Sequence, residues 1–157
     1  MKFWTFTLLS VLDAGCGRDV SGLPVTVCGM YLDVGVGDPA EVQSRVDRTG
    51  VIAQVVKEEF KNSLAPRLHD VCGAVRDYTV ELRCIVFDPW EPSKEVGGFC
   101  DCGPPRLIQV QSLLNLLPHE IAHAAQWCNW GRIGSTGHEN WETEVTPYLQ
   151  AVRARLQ

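Results

Sequence analysis

The sequence lacks the features that mark nucleic-acid-binding and membrane-spanning proteins. It has 14 Lys and Arg against 19 Asp and Glu, a formal net charge of −5, and no basic run. Nucleic acid and anionic membrane surfaces are therefore not expected as partners, because both attract clustered positive charge. No internal repeat or low-complexity tract is present. No apolar stretch reaches the length of about 20 residues that a membrane-spanning helix needs.

The composition that is present is that of a folded globular protein. Apolar residues make up 45% and charged residues 21% of the 157 residues, which are ordinary values for such a protein. A chain of this length suits one domain and can bury roughly two thirds of its unfolded surface. The sequence therefore predicts one domain with a hydrophobic core of its own.

The amino terminus carries the longest apolar run, over residues 3–12, between Lys2 and the small residues that precede Cys16. This segment resembles a bacterial lipoprotein signal peptide, in which Cys16 becomes the lipidated first residue. We therefore expect residues 1–15 to be the signal peptide of an exported protein that is periplasmic, anchored to the outer membrane or extracellular, and residues 16–157 to form the domain. Cleavage after Ala14 by an ordinary signal peptidase and a buried amino-terminal segment in a cytosolic protein are the alternatives.

Cysteine is abundant, and its number is odd. The seven cysteines are Cys16, Cys28, Cys72, Cys84, Cys100, Cys102 and Cys128. Setting Cys16 aside leaves six, enough for three disulfides in an oxidising compartment. We expect Cys128 to be bonded to Cys100 or Cys102, which would fasten a strand to the helix that precedes Cys128.

The hydrophobic pattern predicts an α+β fold, with a small mixed or antiparallel sheet packed on helices. The expected strands lie within 24–34, 78–88 and 99–111, and the expected helices are a long one over 40–64, one over about 119–127 and one that starts at Thr136. We expect Asp38-Pro39 to begin the long helix, with Pro39 in its first turn, and Gly50 to break it. The cap of the second helix is expected at Asn115. The segment 88–98, which contains Trp90, fits either a lid or a plain connector.

Histidine is scarce and unevenly placed, since three of the four histidines lie within 118–144. His119-Glu120-Ile121-Ala122-His123 is an HExxH motif, whose two histidines share one helix face a turn apart. Two imidazoles in this arrangement can bind one Zn²⁺. Glu120 can then take the proton from a zinc-bound water whose pKa the metal lowers. The motif predicts an enzyme, a zinc metallopeptidase.

A catalytic zinc needs a third protein ligand. The candidates that follow the motif are His138, Glu139, Glu142 and Glu144. His138 lies 15 residues after His123, and Glu142 lies 19 residues after it. If His138 binds the zinc, Glu142 can orient the other nitrogen of its ring, because the two residues are one helical turn apart.

The segment GHENW, residues 137–141, resembles the third-ligand segment of SprT-like zinc metallopeptidases. In that family a Gly-His follows HExxH by about 15 residues and precedes an aromatic residue, here Trp141. The resemblance covers residues 113–145. It implies a minimal zincin-like fold, His138 as the third zinc ligand and hydrolysis of peptide bonds in a peptide or protein substrate. Such sites often receive the substrate along a sheet edge, for which residues 107–111 are the candidate strand.

Other interpretations stay open at this point. In a gluzincin arrangement Glu142 is the third ligand. Tyr148 and Arg132 are candidates for polarising the carbonyl of the bond to be cut, although Tyr148 also fits the buried stripe of the last helix. A non-catalytic zinc-binding lipoprotein and a disulfide-rich binding module with a zincin-like fold are the alternatives to an enzyme.

Overall fold

The structure is a computed structural model that describes four stretches of the chain. The described residues are 22–33, 38–63, 68–128 and 137–157, without the side chains of residue 127 and residues 137–141. The expected signal peptide, the lipidated Cys16 and the candidate Arg132 lie outside the described residues. None of the described helices has the length and apolar character needed to cross a membrane.

The described elements alternate between strands and helices along the chain. The strands are β1 (Leu23–Pro24), β2 (Tyr31–Asp33), β3 (Thr79–Leu82), β4 (Val86–Phe87), β5 (Glu95–Val96), β6 (Gly98–Asp101) and β7 (Leu107–Val110). The helices are α1 (Pro39–Phe60), α2 (Val71–Ala74), α3 (Leu113–His123) and α4 (Gly137–Leu156). A π-helical turn, Ala124–Cys128, continues directly from α3.

The main sheet is small and mixed. Its strand order is β1-β2-β3-β7-β6, in which β2, β3 and β7 are parallel and the two outer strands are antiparallel to their neighbours. Leu32, Val80 and Ile108 stand side by side in the central strands and are fully buried. Since these residues belong to one core with the inner faces of the helices, the predicted α+β fold with a mixed sheet on helices is confirmed.

Helix α1 begins where the sequence predicts and runs without the expected break. The Asp38 side chain accepts a hydrogen bond from the Glu41 backbone N–H at 2.9 Å, and Pro39 occupies the first turn, where its missing N–H costs nothing. At Gly50 the helix is continuous. An added Cβ there would lie 3.4 Å from Thr26 Oγ1, an ordinary contact distance, so the loop between β1 and β2 packs against the helix at this residue.

Helix α3 starts two residues before Asn115, and the predicted cap at Asn115 is wrong. The hydroxyl of Ser112 accepts the backbone N–H of Asn115 at 3.2 Å, which makes Ser112 the cap. Pro118 consequently lies inside the helix rather than in its first turn. Helix α3 contacts β6, β7, α1 and α4, so it lies between the sheet and the other long helices.

The segment 78–88 is not one strand, as the sequence predicts, but two strands in different sheets. Strand β3 ends at Leu82, and β4 pairs with β5 in a separate antiparallel hairpin. The turn of this hairpin covers residues 88–94. The segment 88–98 is therefore built around β5 and is not a plain connector.

Two disulfides with both cysteines in the described part of the chain fasten loops to the helical layer. Cys28 is bonded to Cys72, and Cys102 at the end of β6 is bonded to Cys128 at the end of the π-helical turn. The second bond confirms the expected link between Cys128 and one of the cysteines of the preceding strand region. The six cysteines other than Cys16 would suffice for three disulfides, but Cys100 is a free thiol, whereas Cys84 is disulfide-bonded. The Cys100 sulfur lies 3.8 Å from Cys128 Sγ, which is already bonded to Cys102.

Candidate metal centre

The two histidines of the HExxH motif converge on one point. They are one turn apart on α3, and their Nε2 atoms are 3.0 Å from each other. The rings meet edge to face, with centroids 4.6 Å apart. Two nitrogens bound to the same tetrahedral zinc at about 2.0–2.1 Å would be about 3.3 Å apart. The observed separation is within a few tenths of an ångström of that value, so the pair fits a zinc ion.

Glu120, between the two histidines, is buried, with 5% of its surface exposed. Burial raises the pKa of its carboxyl group to about 8, because a charged carboxylate is poorly solvated there. Carboxyl groups with such raised pKa values can both accept and donate a proton near neutral pH. This property suits an acid–base group, although burial alone also produces it.

Helix α4 brings a carboxylate next to the motif. Glu142 Oε1 lies 3.8 Å from His119 Nε2, although Glu142 is separated from the motif by 19 residues of sequence or more. His138 lies four residues earlier, in the first turn of α4, but its side chain is outside the described set. Either residue as a third ligand therefore stays a prediction, and the structure shows only that α4 approaches His119.

The described side chains do not by themselves complete a metal site. Among them, no three His, Cys, Asp or Glu groups stand close enough together to hold a metal ion. A catalytic zinc site has three protein ligands, and His119 and His123 could supply two of them. His138 and Glu142, both in the first turns of α4, stay the predicted candidates for the third.

A cavity of about 290 Å³ opens beside the motif. Three elements line it: α3 with His119, Glu120 and His123; β6 with Gly98, Phe99 and Cys100; and the β4–β5 hairpin region with Asp88, Pro89, Trp90 and Val96. The HExxH residues are the part of this lining that the sequence predicts as site residues. Segment 88–98, for which the sequence left a lid and a connector open, contributes the hairpin wall. Strand β6 was not predicted as a wall, since only the fold brings it to α3.

Strand β6, not the predicted segment 107–111, is the edge of the main sheet beside the cavity. Strand β7 is paired on both sides, with β3 and with β6. The Gln111 N–H donates to the Gly97 carbonyl at 3.0 Å. Because hydrogen-bonded pairs alternate along an antiparallel ladder, the backbone groups of Gly98 and Cys100 point away from β7. They face the side of β6 on which no described strand pairs, and residues of β6 line the cavity.

Gly98 allows β6 and β7 to pair closely at a point that also contacts α3. A Cβ added to Gly98 would lie 2.7 Å from the carbonyl oxygen of Gln109 in β7 and 3.5 Å from Glu120 Cγ in α3. The first distance is too short for any side chain without a shift of the sheet, whereas the second is an ordinary contact. A glycine at this position therefore keeps β6 paired with β7 beside Glu120.

The Cys100 thiol is protected by its surroundings. Burial, and next to it the charge of Glu120, raises the pKa of this thiol to about 12. A thiol with such a pKa is protonated at neutral pH and is a poor metal ligand and nucleophile. Cys100 thus lines the cavity as a protonated thiol and does not supply a reactive thiolate.

Tyr148 and His69, the histidine outside residues 118–144, are not in the described cavity lining. The Tyr148 ring packs on Phe60 of α1, with centroids 5.8 Å apart, which matches its alternative role on the buried stripe of the last helix. His69 Nε2 lies 2.7 Å from the Ser63 carbonyl oxygen. Neither contact involves the HExxH residues.

Comparison with known proteins adds no relative: no protein-family model, curated protein or solved structure matches the chain. The resemblance of GHENW to the SprT-like segment therefore stays a prediction that rests on residues 137–141 alone.

Proposed function

We propose that this protein is a zinc-dependent metallopeptidase. The observation that carries the proposal is the convergence of His119 Nε2 and His123 Nε2 at 3.0 Å on the wall of a cavity that also holds Glu120. In this proposal the third ligand comes from the start of α4, with His138 first and Glu142 as the alternative. When bound, zinc would lower the pKa of a water molecule and polarise the carbonyl group to be attacked.

Glu120 is the acid–base group of the proposed reaction. Its carboxylate takes a proton from the attacking water, and the carboxyl group then gives the proton to the leaving amine. The buried position next to His119 holds it at the cavity wall, away from competing bulk water. A binding site that only held zinc would have no use for this carboxyl group.

The open edge of β6 supports a polypeptide as the substrate. The outward-facing backbone groups of Gly98 and Cys100 can pair with an extended chain, as in other cases of strand addition. An extended segment along β6 would run past Glu120, because Gly98 lies next to that residue. A substrate without a peptide backbone would leave these groups unused.

We further propose that the protein is exported. The disulfides Cys28–Cys72 and Cys102–Cys128 support this, because such bonds form and persist mainly in oxidising compartments. The amino-terminal apolar run of the sequence is the other support.

Elemental mass spectrometry of the zinc content tests the proposal. Protein produced in an oxidising compartment should carry one zinc per chain, and His138→Ala should lose it if His138 is the third ligand. Loss with Glu142→Ala alone would move the third ligand to Glu142. A folded wild type without zinc after incubation with zinc would refute the metal centre.

Hydrolysis is tested separately with Glu120→Gln, which preserves the shape of the side chain. This variant should keep its zinc and lose about 10²–10⁴-fold in the rate of peptide hydrolysis, the usual contribution of an acid–base group. Zinc-loaded Glu120→Gln with wild-type activity would refute the proposed role. Zinc-loaded wild type that cleaves no peptide would leave a zinc-binding protein instead of an enzyme.

A further inference from the structure

The hairpin wall of the cavity exposes a large aromatic side chain. Trp90 is 68% exposed, the highest value among the large exposed apolar residues of the described chain. It lines the cavity together with His119 and Glu120. Large apolar side chains on a protein surface often mark binding sites, especially when they border a concave region.

The exposure of Trp90 is fixed by the turn that carries it. Asp88 Oδ1 accepts the backbone N–H groups of Trp90 at 2.7 Å and of Glu91 at 3.3 Å. The Asp88 N–H in turn donates to the Lys94 carbonyl at 2.9 Å. The turn is thereby closed from both ends, and the backbone that carries the indole is held next to the cavity before any ligand arrives. Preorganised contact groups bind more tightly because less freedom is lost on binding.

The chemistry of the cavity favours an apolar ligand group. Pro89, Trp90, Val96 and Phe99 supply its apolar lining, and the described lining contains no Lys or Arg. Its acidic groups are Glu120 and Asp88, and Asp88 already accepts hydrogen bonds within the turn. Among the described lining residues an acidic side chain would meet no Lys or Arg. The volume of about 290 Å³ is at the lower end of the usual range for ligand pockets, about 300–1,000 Å³, and suits one side chain.

We infer that Trp90 determines the specificity of this site, by packing against an aromatic or large aliphatic side chain of an extended polypeptide next to the bond that is cut. The inference rests on the proposed peptidase function. In the proposed complex, β6 pairs with the backbone of the substrate. The β4–β5 hairpin, which carries Trp90, then contacts one side chain of that same stretch of substrate. The occupant of the part of the cavity next to Trp90 is thus one apolar side chain of an unfolded or extended segment.

Cleavage-site profiling with a mixture of synthetic peptides tests the inference. Zinc-loaded wild type should cut next to aromatic and large aliphatic residues. Trp90→Ala should lower kcat/KM for those sites by about three- to tenfold, the range of a single aromatic contact, and leave other sites unchanged. Phe87→Ala is the matched control, since Phe87 is 51% exposed on the same hairpin but does not line the cavity. An unchanged preference in Trp90→Ala would overturn the inference while the peptidase function stands.

A binding measurement separates this inference from the proposed function. Fluorescence anisotropy would follow two labelled hexapeptides, one with a central Phe and one with a central Glu, on zinc-loaded Glu120→Gln. The Phe peptide should bind more tightly, and adding Trp90→Ala should remove that difference, whereas adding Phe87→Ala should not. This assay tests the role of Trp90 even if the wild type cleaves no peptide. Equal affinities of both peptides for zinc-loaded Glu120→Gln would overturn that role. A difference in affinity that Trp90→Ala removes would support it.

Discussion

The disulfide between Cys102 and Cys128 has a neighbouring thiol that can take its place. Cys100 Sγ lies 3.8 Å from Cys128 Sγ, so a Cys102→Ser variant leaves two thiols facing each other. During folding with oxidised glutathione, these thiols should form a Cys100–Cys128 disulfide, and the glutathione disulfide is reduced to two glutathione thiols. The single variant should therefore keep a bond to Cys128, whereas Cys100→Ser combined with Cys102→Ser cannot.

The expected loss of stability follows from the loop that the bond closes. Cys102 and Cys128 are 26 residues apart, and a loop of this length restricts the unfolded chain by about 3.5 kcal/mol. Cys100 and Cys128 are 28 residues apart, so the replacement bond should contribute nearly the same. We expect Cys102→Ser to stay close to wild type and the double variant to lose about 3–4 kcal/mol, or roughly 10 °C in Tm for a chain of this size.

Urea unfolding followed by circular dichroism measures these differences. EDTA in all samples removes any contribution from bound metal, and Cys100→Ser is the control because it keeps the native bond. Mass spectrometry of peptides cut under non-reducing conditions identifies the bonded cysteines. A Cys102→Ser variant that is as unstable as the double variant, with free Cys100 and Cys128, would refute the reasoning from the sulfur positions. A double variant with wild-type stability would refute the loop-closure argument.

Three further outcomes are expected from the fold. Gly98→Ala should destabilise the protein by about 1–3 kcal/mol in urea unfolding, because the added Cβ would lie 2.7 Å from a backbone oxygen. Gly97→Ala should cost less, since its Cβ would meet only the flexible Leu116 side chain. Equal losses of unfolding free energy in the two variants would contradict the packing argument. Iodoacetamide should label Cys100 slowly at pH 7–8, since burial raises the pKa of its thiol to about 12. The labelling rate, measured by mass spectrometry, should rise about tenfold per pH unit up to about pH 11. A rate that stops rising by about pH 9 would contradict the raised pKa. Ser112→Ala should cost about 1 kcal/mol of unfolding free energy through the lost cap of α3, and Ser112→Asp should not; equal losses would show that the cap contributes little.

Local sequence patterns predicted the helices well. The capping pair Asp38-Pro39 and the apolar spacing after it defined α1 to within a few residues at each end, because these signals act within one or two turns. The same is true of the HExxH helix, whose two histidines had to share a face whatever surrounds them. Errors occurred where a competing local signal decided, as at the start of α3, where the Ser112 hydroxyl and not Asn115 accepts the first free N–H.

The sheet edge could not be predicted in the same way. Segment 107–111 reads as a strand next to the motif helix, yet β7 lies inside the sheet, between β3 and β6. Which strand becomes the edge depends on pairing between segments far apart in sequence, and hydrophobic alternation within one strand carries no information about that order. For the same reason the sequence did not show that Trp90 would reach the cavity beside His119.

The sequence by itself determined the chemistry that this protein can offer: two histidines and a glutamate on one helix turn, a cysteine placed to fasten that helix, and helices with defined starts. These features depend on residues a few positions apart, and the helical period fixes their geometry. Only the tertiary structure decided what faces the motif, namely the outer edge of β6, Trp90 on the cavity wall and the carboxylate of Glu142. It also decided that Cys102 and not Cys100 is the disulfide partner of Cys128. These choices depend on how distant segments pack around one core, where small differences in strand order and spacing select between partners that look equivalent in the sequence.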